Sequence, residues 1–241
     1  ILLARFALLS LTVVMSVCST CEDLMKPVLK AGLSRSGIIN TIPKELVYGT
    51  VSRQGLGYRH LYTESGIQHI TRLQRFTQDV KHNTTGELLQ FNMQELKMTL
   101  GLNGTVTSHS YALVGHLAER SYVQWTWKFM DEYGMRLVDN IPDFEFYRNG
   151  DELLMRCFLQ AGYRDKQLKQ LNDCRLFLRV VYVSEVLTGC GTKLDIAAIR
   201  GEEPLQRNPH TWPNQGRPEQ DAWALWAEAL TKSLGASDDM D

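Results

Sequence analysis

Apolar residues in this chain recur every three or four positions, and that spacing constrains the fold more than any other feature. Between Glu87 and Leu100 the pattern is Leu89, Met93, Leu96 and Leu100, at offsets of four, three and four. Side chains at those offsets share one face of a helix, so the segment has to bury that face against a neighbour. The same spacing returns as Tyr122, Trp125, Phe129 and Tyr133 within 111–133, and as Leu154, Cys157 and Phe158 within 151–160. It returns again as Leu168, Leu171, Cys174, Leu178 and Val181 behind Asp165, and as Trp223, Trp226, Leu230 and Leu234 behind Pro218. Gly101, Gly134 and Gly162 follow three of these stripes, where a left-handed residue closes a helix. The expectation is a mostly α chain of about seven helices with little strand. Apolar residues make up 44% of the 241, enough for a packed core.

The stretch Val47 to Phe76 combines a glycine turn with a helix. Val47-Tyr48-Gly49 leads into Arg53-Gln54-Gly55-Leu56-Gly57, where Gly55 and Gly57 permit positive φ or a close approach of backbone to another surface. Thr63 is then placed to cap a helix with Ile67, Ile70, Leu73 and Phe76 inward and Gln68, Arg72 and Arg75 outward. Before it, Ser19 and Glu22 make a capping-box pair, with Leu24, Val28 and Leu29 inward and Lys26 and Lys30 outward. Pro27 is expected to kink or shorten this helix, and Gly32 with 34–37 to end it. Pro43 is suited to open a single helical turn.

The formal charge of −1 excludes a uniformly basic coat. The cations are unevenly placed: Lys26 to Arg75 holds eight Lys and Arg against Glu45 and Glu64. That asymmetry suits a polyanionic partner, and it equally suits a solvated face.

Met25-Lys26-Pro27-Val28-Leu29, Leu33-Ser34, Ile42 to Gly49, Gln54 to Gly57 and the helix behind them, taken in order, resemble the segment that follows the palm in LINE-type (non-LTR) retroelement reverse transcriptases, in the versions found in protist proteins. The likeness extends through Leu176 to Trp223-Ala224-Leu225-Trp226. The resemblance implies the thumb and C-terminal part of an RNA-directed DNA polymerase, inside the cell, with the RNA template, the RNA–DNA duplex and the rest of the polymerase as partners and no membrane. It implies that Lys26, Lys30, Arg35, Arg53, Arg59, Arg72 and Arg75, with the close-approaching Gly55 and Gly57, hold the duplex by its backbone. It places the palm, its carboxylates and its Mg²⁺ before this chain, which then needs no cofactor of its own. The expected division is 1–18 as the end of the palm-adjacent segment, 19–135 as a thumb-like helical lobe and 143–200 as a second small helical lobe. A linker at 201–217 and a terminal helix at 218–235 complete it.

No catalytic or metal-binding group is expected. Asp238-Asp239 is the one paired aspartate, and it lacks the flanking apolar strands on which a polymerase carries its metal-binding carboxylates. Cys18-x-x-Cys21 lacks two further zinc ligands at close spacing, the nearest histidine being His60. His60 and His69 read as surface or cap residues. The five cysteines at 18, 21, 157, 174 and 190 form no disulfide framework and favour a reducing compartment. Helical spacing assigns Trp125, Trp223 and Trp226 to the core and leaves Trp212 the best candidate for exposure. Two other classes remain open. One is a stand-alone helical interaction module, which would show an apolar patch instead of a cationic one. The other is a secreted or membrane-anchored protein with 1–17 as signal, a class to which the glycosylation triplets at Asn83 and Asn103 would belong.

Overall fold

The computed structural model describes residues 18–39, 41–78, 84–191, 193–201, 212–213 and 215–234. The chain is mostly helical. Among the described residues it has ten α-helices and no strand, only isolated antiparallel bridges at Leu153–Tyr182 and Leu187–Leu194. It divides into two compact units between residues 79 and 80, inside the segment expected to form one lobe from 19 to 135. None of the described helices is long and apolar enough to cross a membrane. Residues 1–17, Asn83 and Asp238-Asp239 lie outside the described residues.

In the first unit, α1 (Cys18–Arg35) runs through Pro27 without ending. Proline removes one N–H, which orphans the Asp23 carbonyl on the outer side of the helix and does not interrupt its inner contacts. The inner stripe is Cys21 and Leu33, both buried, with half-buried Cys18, Glu22, Met25 and Leu29. Leu24 and Val28 are not inward as expected but 57% and 55% exposed. Each sits one residue, about 100°, off the Met25–Leu29 line. Gly32 lies inside the helix, and a Cβ there would meet the Tyr58 hydroxyl at 2.8 Å. Gly37, with φ of 69°, is the residue that stops it.

Pro43 precedes α2 (Lys44–Tyr48), as its sequence position suggested. The glycine turn then folds back on α2. The N–H groups of Leu56, Gly57 and Tyr58 donate to the carbonyls of Leu46, Gly49 and Val47 at 2.8, 2.8 and 3.0 Å. These bonds satisfy the end of a helix too short to satisfy itself.

The next helix, α3 (Leu61–Gln78), starts two residues before Thr63, so Thr63 lies in its first turn. Its buried line is Tyr62, Gly66, His69 and Leu73, at offsets of four, three and four. A strict three-residue repeat drifts by about 60° per step, which is why Ile67 emerges exposed and Ile70 and Phe76 stay at the margin.

The second unit is built on α4 (Thr84–Leu100), whose Leu89, Met93, Leu96 and Leu100 are all buried as their spacing requires. The aromatic segment 111–133 breaks into α5 (Tyr111–Val114), a 3-10 turn at Gly115–Leu117 and α6 (Tyr122–Glu132). Trp127, not Trp125, is the fully buried indole there, and its Nε1 donates to the His109 carbonyl at 3.0 Å. Trp125 is half-buried and stacks on Phe129. Next come α7 (Leu154–Gln160), α8 (Asp165–Leu178), α9 (Ile196–Arg200) and α10 (Gln220–Leu234). The helix α10 packs on α7, α8 and α9, so it belongs to this unit's core, and most of the linker expected at 201–217 lies outside the described residues. Trp226 is fully buried and donates to the Ala198 carbonyl at 3.0 Å.

An extended segment, 135–146, crosses this unit without a sheet, so its backbone groups need side-chain partners. Thr107 Oγ1 donates to the Leu137 carbonyl and accepts from its N–H. Asn103 Nδ2 donates to the Phe144 carbonyl while Oδ1 accepts from the Phe144 N–H, so this amide is engaged within the fold. Asp143 accepts from the buried Lys97 ammonium at 2.6 Å and from Gly104 N–H at 2.8 Å.

Candidate functional site

All seven cations implicated by sequence are exposed. Lys26 and Lys30 lie one turn apart on α1, and Arg35 ends that helix. Lys26 bonds Asp23 at 2.7 Å and Arg59 bonds Glu64 at 3.3 Å. Both are surface pairs of the kind worth about 0–1 kcal/mol, so either cation can exchange its partner for another anion at little cost. Arg53 closes the 3-10 turn at Val51–Arg53. Gln68 and Arg75 stand on the outer face of α3, roughly opposite the buried line, and exposed Arg72 stands about a quarter-turn from that line. Lys30, Arg35, Arg53, Arg72 and Arg75 have no carboxylate partner among the described residues. The cations thus form separate groups on α1, on the loop and on α3.

The two glycines have an internal reason to be there. A Cβ on Gly55 would fall 2.2 Å from the Gly49 carbonyl carbon, so the two glycine backbones are in direct contact. Gly57 has φ of 70°, and a Cβ on it would press Val51 Cγ2 at 2.9 Å. Their freedom closes the loop on α2.

The same loop brings together residues that the sequence reading kept apart. Cys18 Sγ, a carboxylate oxygen of Glu22 and a ring nitrogen of His60 lie within 4.8 Å of one another, and all three residues are half-buried. Cys18 and Glu22 share a face of α1 one turn apart, whereas His60 arrives from the start of α3. Its carbonyl accepts the Glu64 N–H at 2.9 Å. Its ring lies edge-on to Tyr48, 4.8 Å between centroids, with Nδ1 3.2 Å from Thr63 Oγ1. Lys44 Nζ sits 2.9 Å from Glu22 Oε1, which holds the Glu22 carboxyl below its ordinary range and raises the lysine. His69 is buried inside α3's inner line, not on the surface, and burial, reinforced by Arg72, holds its pKa down.

Sequence reasoning also passed over Arg175, which is 0% exposed in the second unit. Its Nε donates to Asn172 Oδ1 at 2.9 Å and Nη1 to the Val180 carbonyl at 3.3 Å. Nη2 donates to the carbonyls of Met98 and Thr99 at 2.6 and 2.9 Å, the orphaned end of α4. Burial pushes its pKa down to about 9, with Glu185 opposing, so it is charged at neutral pH. Glu185 turns its own oxygen to the N–H groups of Val181 and Tyr182. Trp212 is half-buried, packs on the Met98, Phe144 and Val181 cluster, and lies 6.0 Å from the Arg175 guanidinium. This arrangement is a structural hub, since four of the five N–H donors of the guanidinium point at the protein's own oxygens.

In comparisons with protein-family models, curated proteins and solved structures, nothing matches the chain.

Proposed function

We propose that residues 18–78 form a non-catalytic helical element that holds a nucleic-acid backbone, in the manner of the thumb of an RNA-directed DNA polymerase. The observation that carries it is the set Lys30, Arg35, Arg53, Arg72 and Arg75, exposed and without a carboxylate partner among the described residues, in a chain whose formal charge is −1. Such cations fix a duplex through its phosphates and carry no sequence information. The polymerase assignment, with the RNA template and RNA–DNA duplex as partners, rests on the sequence resemblance. That resemblance assigns the Mg²⁺ and its carboxylates to a palm outside these residues.

The test is fluorescence anisotropy with a labelled RNA–DNA hybrid duplex across a salt series. Binding should weaken steeply with salt and be indifferent to sequence. The triple variant R53E/R72E/R75E should flatten the log–log salt slope by about 2.7, at roughly 0.9 per lost phosphate contact. Affinity that ignores both salt and these reversals would refute the reading.

A second reading, a helical protein-interaction module, is favoured by Leu24 and Val28, exposed one turn apart on α1. It would be preferred if the duplex did not bind and if L24K/V28K abolished a dimer seen by sedimentation.

A further inference from the structure

We propose that Cys18, Glu22 and His60 form a zinc site that clamps the start of α1 to the start of α3. This inference is independent of the nucleic-acid reading.

The donor set decides which ion fits. A thiolate, an imidazole and a carboxylate together match Zn²⁺, a borderline-soft ion bound by sulfur, nitrogen and oxygen, and they do not match Mg²⁺ or Ca²⁺, which take oxygen ligands. Tetrahedral zinc with bonds of about 2.0–2.3 Å sets its ligand atoms roughly 3.3–3.6 Å apart. The three donor atoms here already lie within 4.8 Å of one another. Side-chain rotations in three half-buried residues close the remaining gap, at most about 1.5 Å, without moving a helix. The fourth position goes to water.

The surroundings orient the ligands. Thr63 Oγ1 stands 3.2 Å from His60 Nδ1. A metal on Nε2 makes Nδ1 the donor in that bond, the supporting contact that metal-bound histidines use to fix their ring. Tyr48 flanks the same ring. Lys44 Nζ holds one Glu22 oxygen at 2.9 Å, leaving the other to the metal. Lys44 is therefore a competitor as well as a guide: when zinc arrives, its ammonium stays on the outer oxygen or gives way. Coordination converts the Cys18 thiol to thiolate and releases one proton to solvent, so affinity should rise with pH. Sequence spacing hides the site because its third ligand lies 42 positions from the first.

The experiment uses Co²⁺ as a spectroscopic probe on the full chain, reduced with a non-chelating phosphine. One equivalent should give a near-ultraviolet thiolate-to-cobalt charge-transfer band, and one equivalent of Zn²⁺ should bleach it. C18S should abolish the band, H60Q and E22Q should each weaken binding at least about tenfold, and C190S should bind as the wild type does. K44M should leave the band and tighten or preserve binding. Far-UV circular dichroism checks each fold. If C18S unfolds, E22Q and H60Q decide, loss in both supporting the site and full binding in either overturning it. A missing band, or a band that survives C18S in a folded protein, also overturns it.

Discussion

Replacing Arg175 with Met tests whether the second unit is organised around a buried guanidinium. The unbranched side chain fills most of the space but donates nothing. It strands Asn172 Oδ1 and the carbonyls of Val180, Met98 and Thr99. Each buried acceptor left unpaired costs about 1–3 kcal/mol. Removing the charge returns part of this, because a buried ion carries a desolvation penalty of several kcal/mol. The balance is a loss of about 3–5 kcal/mol, against a total stability of about 5–15 kcal/mol for a domain. At roughly 2 kcal/mol per molar urea, the unfolding midpoint should fall by about 1.5–2.5 M. All five tryptophans, at 125, 127, 212, 223 and 226, lie in the second unit, so their emission reports this transition and not that of the first unit. R175K keeps the charge but loses the planar fork and should fall between wild type and R175M. R179M, at an exposed position beside it, should stay within about 0.5 kcal/mol. A midpoint for R175M within about 0.5 M of wild type would show that the hydrogen bonds carry little of the fold and refute this reasoning.

Other expectations are simpler. Gly55→Ala pushes a Cβ into the Gly49 carbonyl and should destabilise the first unit by about 1–3 kcal/mol, seen as an early far-UV melt; an unchanged melt would mean the glycine pair is dispensable. Arg179 caps α8 with φ of 59°, so R179G should raise stability by about 0.5–1 kcal/mol, and a loss would show that its side chain matters more than its backbone. Lys97, then Gly104, holds the Asp143 carboxyl below its ordinary range. The stabilisation is therefore present above the ordinary carboxylate pKa and disappears as pH falls through the lowered one. D143N should be weaker at neutral pH and lose less on acidification, and a parallel acid profile would contradict this. Burial pushes Cys157 up to about 11 and Cys174 up to about 12, so a disulfide probe at mildly alkaline pH should modify exposed Cys190 first and reach Cys157 and Cys174 only as the unit opens. Rapid labelling of Cys174 in folded protein would overturn the burial argument.

Much of the helical framework was legible because its signal is local. The 4-3-4 stripe of α4 and the Leu168, Leu171, Cys174 and Leu178 stripe of α8 are buried, as their spacing requires, since one periodic face is enough to orient a helix. Reading failed where two faces compete. Leu24 and Val28 looked inward by hydrophobicity, yet the packing of α1 against α3 chose the line through Cys21 and Met25. Trp125 and Trp127 are both aromatic and two residues apart, so only the partner surface could decide which one is enclosed. The glycine turn was found, but its purpose was not: Gly55 faces Gly49, and no local pattern announces a contact between two backbones.

The sequence by itself therefore determined that this chain is helical, where its longer helices lie, and that its first third carries exposed cations on α1 and α3. Helical period and charge are properties of neighbouring residues, so no partner is needed to read them. The tertiary structure alone decided that Arg175 ties α8 to the end of α4, and that His60 meets Cys18 and Glu22. Those contacts join residues 77 and 42 positions apart. Their energies depend on burial and on the direction of each donor, which only the folded arrangement of helices sets.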